Sequence, residues 1–207
     1  METARWYYDL ISPFAWLHFH SLAPLRERLR IEPVPVLLAG MLKHWGTKGP
    51  AETAPKRQHT YQYCVWQAGV QGLPFRMPLR HPFNPLAAQR LMVALDAPED
   101  AIGKAFGFIF GEGRDPELEF DALAARLGVR EPAGLIARPE VKQQLIANTQ
   151  AAIDAGVFGV PSLVLRGQVF WGNDTVAWAT RFLDEPGLFA RPEYTAARAT
   201  GMGVVRA

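Results

Sequence analysis

A serine directly before a proline, Ser12-Pro13, stands where hydroxyl chemistry and helix geometry coincide. Serine is a favoured helix N-cap and proline a favoured first helical residue. A helix begins there, with unpaired backbone N–H groups and the positive end of its dipole facing outward. An anion docked at that point is stabilised. If the anion is the thiolate of a bound thiol, lowering its pKa by two units takes about 2.7 kcal/mol. A partly buried helix end supplies up to roughly 2 kcal/mol and a hydroxyl donor to a charge about 1.5 to 3. The sum suffices without a base. The plain alternative is that Ser12 only caps its helix.

Two further segments near the other end of the chain offer polar backbone. Val160-Pro161 follows Gly156 and Gly159. A cis bond there turns the Val160 N–H and C=O outward as an unpaired edge able to hold extended peptide backbone; a trans turn proline does not. In isolation the trans proline is the better expectation; a site that turns the Val160 backbone toward the Ser12 helix end needs the cis bond, and for that site we expect it. Gly172, Asn173 and Asp174 open the last helix. Asp174 can cap it, or stand beside free N–H groups that take a carboxylate while its own carboxylate takes an ammonium.

The elements that must place these residues follow from periodicity and punctuation. Residues 5–10 read as a strand, and a helix follows with Phe14, His18, Leu22, Leu25 and Leu29 on one stripe and Trp16, His20 and Glu27 opposite. Residues 31–38 read as a second strand, suited by Pro33 and Pro35 to a sheet edge. Residues 46–55 form a loop, 56–70 a helix and 73–85 a proline-rich extended segment. Helices are expected at 86–95, 100–110, 116–127 (capped by Asp115 or Asp121) and 139–155, the last closed by Gly156. Strands at 163–165 and 169–171 and a helix at 174–183 complete the order, with no clear element from 184 to 207.

The order βαβ, helical block, ββα is that of an α/β thioredoxin-like fold with a large all-helical insertion. Residues 1–39 plus 157–207 would form the thioredoxin-like domain and 40–156 the insertion. The redox Cys-x-x-Cys of such a fold is missing, because Ser12, Pro13, Phe14 and Ala15 hold its place. A thiol-handling scaffold without thiols suggests that sulfur arrives with a ligand.

Composition narrows the classes. With 207 residues, 49% hydrophobic and 20% charged, the chain has enough apolar material for a sizeable core. A net charge of +2 with scattered arginines argues against nucleic acid as a partner. No apolar run approaches a membrane span of about 18 to 20 residues, and the first residues do not read as a signal peptide. The single cysteine, Cys64, excludes an internal disulfide, fits a reducing compartment and is expected to be packed; a cytoplasmic protein is the expectation. His20, His44, His59 and His81 lack paired metal-ligand spacing, so no metal is expected, and His18 is expected in the core. Trp45, Trp66 and Phe83 are either core or walls of an aromatic pocket.

Several of these segments together carry a resemblance. Asp9 with Ser12 to Leu17, Pro35 with Leu38 and Gly40, Lys56-Arg57, Pro82 to Pro85, Gly156 to Ser162 and Phe170 to Asp174 resemble the 2-hydroxychromene-2-carboxylate isomerases. That family is related to kappa-class glutathione transferases within the broader DsbA-like thioredoxin group. The resemblance runs in order through residues 5–183. It implies glutathione as the thiol, an aromatic or unsaturated carboxylate as the small-molecule substrate, and a homodimer. It assigns Ser12 to the sulfur, Pro13 and Phe14 to the first turn, Val160 and Pro161 to the cysteinyl backbone, and Asn173 and Asp174 to the γ-glutamyl end. Thr47 and Lys56 fall at further glutathione positions, with Lys56 toward the glycine carboxylate or an acidic substrate. Lys48, Lys56 and Asn84 are candidates for the substrate. Three positions depart from the family: Phe14 replaces a tyrosine, Thr47 an asparagine and Thr175 an arginine. The implied activity is a glutathione-dependent isomerase. A kappa-like transferase, and a non-catalytic thioredoxin-like peptide-binding protein, are the alternatives.

Overall fold

The computed structural model describes residues 1–204, and among these four strands make one mixed sheet in the order β2-β1-β3-β4. The strands are β1 (Glu2–Tyr8), β2 (Leu29–Pro35), β3 (Ser162–Leu165) and β4 (Gln168–Trp171). β2 runs parallel to β1, β3 antiparallel to β1, and β4 antiparallel to β3. Pro33 and Pro35 lie opposite Trp6 and Tyr8 on β2, an edge strand, as a residue without an N–H requires.

Alternation along the strands decides which face each residue feeds. Ala4, Trp6, Tyr8, Leu163, Leu165 and Phe170 join the main core. Their neighbours Tyr7, Val164 and Val169 face the other way, into a smaller cluster with Met41, Val157 and Val160. Both faces of the sheet are therefore covered.

The helices are α1 (Pro13–Ser21), α2 (Ala23–Arg26), α3 (Leu38–Trp45), α4 (Ala54–Val70), α5 (Leu86–Ala94), α6 (Glu99–Phe106), α7 (Phe120–Arg126), α8 (Pro132–Ala137), α9 (Pro139–Asp154), α10 (Val176–Asp184) and α11 (Pro192–Arg198). Phe106, Phe108 and Phe110 from the helical block pack in the same cluster as Trp6 and Tyr8. Gly156, at φ 79°, closes α9 as expected. No helix among the described residues is long and apolar enough to cross a membrane.

Several expectations need correction. α1 is buried nearly all round, so Trp16 is 5% exposed rather than on a solvent face. Leu29 lies on β2, not on the α1 stripe. The expected strand over 31–38 begins at Leu29 and stops at Pro35, and Leu38 already starts α3. The helix expected from 100 to 110 gives way at Gly107–Gly111 to a wider π-helical turn. α7 starts at Phe120, and Asp115 caps the preceding turn by accepting from the Glu117 and Leu118 N–H groups. α3, α8 and α11 were not anticipated. The first two are short and carry an interior glycine, so propensity gives them little signal. α11 and the 3-10 turn before it occupy part of 184–204, where Leu188, buried, and Phe189 pack onto Phe170 and Phe182. Residues 205–207 lie outside the described residues.

Candidate functional site

The chain leaves β1 at Tyr8 and turns through Asp9 to Ile11, with the Ser12 N–H donating to the Asp9 carbonyl at 3.0 Å. Ser12 Oγ accepts the Ala15 N–H at 3.2 Å, so Ser12 is the N-cap of α1. Pro13 has no N–H and Ala15 uses its own. The Phe14 N–H is the remaining first-turn donor, without a partner among the described residues. Phe14 is half-buried, and its ring lies 6.1 Å from Tyr63 on α4.

Across from this turn stands the loop before β3. Its Val160-Pro161 bond is cis, as expected. The Ser12 hydroxyl points at the Val160 carbonyl over 3.5 Å, at the outer limit of hydrogen bonding. The Ser12 proton therefore has no good acceptor of its own. The Val160 N–H donates to nothing among the described residues. The two polar segments, 148 residues apart in sequence, thus meet through Ser12 and Val160.

The third segment is fastened to the second. The Gly172 N–H donates to the Pro161 carbonyl at 2.9 Å, which sets Asn173 and Asp174 beside the proline loop. Gly172 has φ 100°, and a Cβ there would lie 2.6 Å from Asp174 Oδ1, so this turn needs glycine. α10 begins at Val176 with Thr175 at the cap position, so Asp174 does not cap the helix. Its carboxylate is exposed and makes no ion pair among the described residues. Asn173 is half-buried.

Around these walls lies a looser rim. Gly46 ends α3 at φ 63°, and the Thr47 N–H returns to the Leu42 carbonyl at 3.0 Å. Lys48 and Lys56 are exposed and unpaired among the described residues. Lys56 sits in the first turn of α4, where a cation opposes the helix dipole. Asn84 is occupied elsewhere: its Oδ1 accepts the Leu86 N–H at 3.0 Å at the start of α5, and its own N–H donates to Glu117. The aromatic candidates separate. Phe83 is core at 5% exposure; Trp66 is reached from Phe14 only through Tyr63. Trp45 lies beside the proline loop, its indole donating to the Val157 carbonyl at 3.0 Å.

Residues outside the expected set of site residues hold the Ser12 wall in place. Asp9 is buried, with Oδ1 accepting from the Ile11 N–H at 3.0 Å and Oδ2 from the Leu38 N–H at 2.8 Å. Burial outweighs those two donors and pushes its carboxyl up to about 7. Gln89 on α5 donates to the Tyr8 and Val36 carbonyls and faces the Leu10 N–H. His81 Nε2 donates to the Ile11 carbonyl at 2.6 Å, which leaves Nδ1 to accept from the Tyr61 hydroxyl at 2.6 Å. Burial lowers the His81 pKa, in keeping with this neutral form. Asp9 alone had a readable sign, its place between a strand and Ser12. A buried glutamine inside a helix has none.

Two expectations of inert packing hold. His18 is buried with Nδ1 accepting from the Trp6 indole at 3.2 Å, and burial brings its pKa to about 3. Cys64 is fully buried, and desolvation pushes its thiol to about 12, far from a reactive thiolate.

Known proteins resemble this arrangement along most of their length. A DSBA-like thioredoxin domain model matches residues 3–183. A 2-hydroxychromene-2-carboxylate isomerase of Sphingobium xenophagum is 29% identical, over 88% of this chain and 98% of its own. Glutathione s-transferase kappa 2 of Caenorhabditis elegans is 22% identical, over 89% of this chain and 93% of its own. The solved structure of a 2-hydroxychromene-2-carboxylate isomerase superposes with a TM-score of 0.76, covering 96% of this chain and all of that one at 22% identity. The sheet, the helical block packed on it and the match over residues 3–183 place this chain in the DsbA-like thioredoxin-domain family, with 2-hydroxychromene-2-carboxylate isomerases and kappa-class glutathione transferases among its relatives.

Proposed function

We propose that this protein is a glutathione-dependent isomerase acting on an aromatic or unsaturated carboxylate such as 2-hydroxychromene-2-carboxylate. One observation carries the reading: the cysteine-free start of α1, the Val160-Pro161 loop and the Gly172–Asp174 turn are drawn into one site by the Ser12–Val160 approach and the Gly172–Pro161 hydrogen bond. The free groups there fit glutathione's backbone. The Val160 N–H and C=O suit the cysteinyl main chain, and the unpaired Asp174 carboxylate suits the γ-glutamyl ammonium.

When bound, glutathione supplies a nucleophilic thiol that adds reversibly to an unsaturated carbon. The Ser12 hydroxyl, without a good acceptor of its own, hydrogen-bonds the sulfur and favours its anion. The Phe14 N–H and the dipole of α1 act in the same direction. Phe14 and Tyr63 give the substrate ring an apolar wall. Lys48 and Lys56, both without ion-pair partners among the described residues, attract its carboxylate. Asn84 enters the substrate site only if it gives up its bond to the Leu86 N–H.

A kappa-like transferase is the second reading, favoured by the transferase relatives. Calorimetry with glutathione tests the shared premise, and absence of binding rejects both. Turnover of 2-hydroxychromene-2-carboxylate with total glutathione unchanged supports the isomerase; stoichiometric loss of glutathione into an adduct supports the transferase.

A further inference from the structure

α3 touches both walls of the site, one at each end. At its start, the Leu38 N–H donates to Asp9 Oδ2 at 2.8 Å, while Asp9 Oδ1 holds the Ile11 N–H of the Ser12 turn. At its end, the Trp45 indole donates to the Val157 carbonyl at 3.0 Å, three residues before Val160. Between the two, Met41 is fully buried in one cluster with Val157 and Val160. Gly40 lies close to α9, where a Cβ would come 3.2 Å from Thr149 Cγ2. The Leu37 N–H is held by Thr149 Oγ1 at 3.0 Å. α3 is therefore a short rod of eight residues, about 12 Å long, braced from the side and bonded at both ends.

The chemistry of the two end bonds is unusual for a mere brace. Asp9 is 1% exposed and has no ion-pair partner among the described residues, although an uncharged acceptor would hold a backbone N–H at lower desolvation cost. A carboxylate is the smallest group at this position with two equivalent acceptors for two divergent N–H donors. Trp45 leaves 43% of its surface exposed, and its one N–H bond fixes which edge of the ring meets the proline loop.

We infer that Asp9 and Trp45 are positioning residues of the thiol site: through α3 they set the gap between the Ser12 turn and the Val160 edge that a bound thiol must bridge. The inference rests on the proposed thiol site for its functional consequence, but its mechanical part stands without any ligand.

The test is a double-mutant cycle with a spectroscopic readout. In Asp9→Asn one acceptor becomes a donor, so the Ile11 and Leu38 N–H groups can no longer both be held. The indole N–H cross-peak of Trp45, assigned by its loss in Trp45→Phe, should shift in Asp9→Asn although the mutated residue lies at the other end of α3. Glutathione affinity should fall roughly tenfold in each single variant, and the double variant should fall no further, because both act through one rod. An unmoved Trp45 cross-peak, or additive losses in the double variant, overturns the inference. Should Asp9→Asn not fold, Leu38→Pro removes the same N–H at the first helical position, and the same cross-peak response decides. If the parent binds no glutathione, the proposed function fails by itself, while the cross-peak still decides whether α3 couples its two ends.

Discussion

The two walls of the site are built in opposite ways. The Ser12 wall is closed: Asp9 and Gln89 are buried, Tyr61 is tied to His81, and His81 to the Ile11 carbonyl. The Val160–Asp174 wall is open. It keeps a Val160 N–H without a partner among the described residues, an exposed Asp174 carboxylate and a glycine turn that brings backbone close. The first wall uses its polar groups to hold a geometry, and the second leaves its polar groups open. Mutations should therefore divide by wall, stability on one side and binding on the other.

The largest effect should come from Gln89→Leu. Gln89 is fully buried and serves the Val36 carbonyl, the Leu10 N–H and the Tyr8 carbonyl, which also accepts the Val36 N–H. Losing it should cost about 3 to 5 kcal/mol of unfolding free energy, measured by urea denaturation. A loss below about 1 kcal/mol would mean that this wall is not held by its polar ties.

Asp174→Asn should do the reverse. Glutathione should bind roughly ten- to a hundredfold more weakly by calorimetry, with the melting temperature unchanged. Cysteinyl-glycine, which lacks the γ-glutamyl group, should bind the variant and the parent alike. Equal weakening of both ligands would remove Asp174 from the γ-glutamyl site.

Ser12→Ala stands between the walls and should show both effects in small measure. The lost cap should cost about 1 kcal/mol of stability. The thiolate absorbance of bound glutathione should titrate at higher pH than in the parent. An unchanged titration would leave Ser12 as a cap alone.

The smallest net effect should be that of pH, because Asp9 of the closed wall and the core His18 oppose each other. Asp9 is raised from 3.8 to about 7, so its contribution is full below about 4 and is lost as pH rises through 7. His18 is lowered from 6.5 to about 3, so its contribution is full above 6.5 and is lost as pH falls toward 3. Between about 4 and 6.5 Asp9 offsets His18, and His81 and His20, both also lowered by burial, leave a shallow rise of unfolding free energy with pH. Tyr8, raised by burial and by the Asp9 charge, does not titrate in this window. Asp9→Asn should make this rise with pH steeper, read from urea unfolding at several pH values. A variant with the slope of the parent would contradict the opposition.

The sequence by itself determined the fold class and the residues of the open wall. Period-2 and period-3.6 patterns, Gly and Pro punctuation and the order of elements needed only local information, and they sufficed for a thioredoxin-like sheet with a helical block. Ser12-Pro13, Val160-Pro161 and Gly172 were legible because capping, cis-proline turns and close backbone approach each demand particular residue types. What only the tertiary structure decided is the closed wall and α3. Asp9, Gln89 and His81 act on backbone groups 29, 81 and 70 residues away, and nothing in their own neighbourhoods reports those partners. α3 holds an interior Gly40 and follows Pro35, so local propensity argues against it; packing of Met41 and two end bonds make it a helix. Asn84 shows the same limit from the other side. The resemblance makes it a substrate candidate, and the start of α5 takes its oxygen instead. Polar residues are legible where they serve their own turn and illegible where they serve a distant one, because hydrogen bonds of the second kind exist only once the chain has folded.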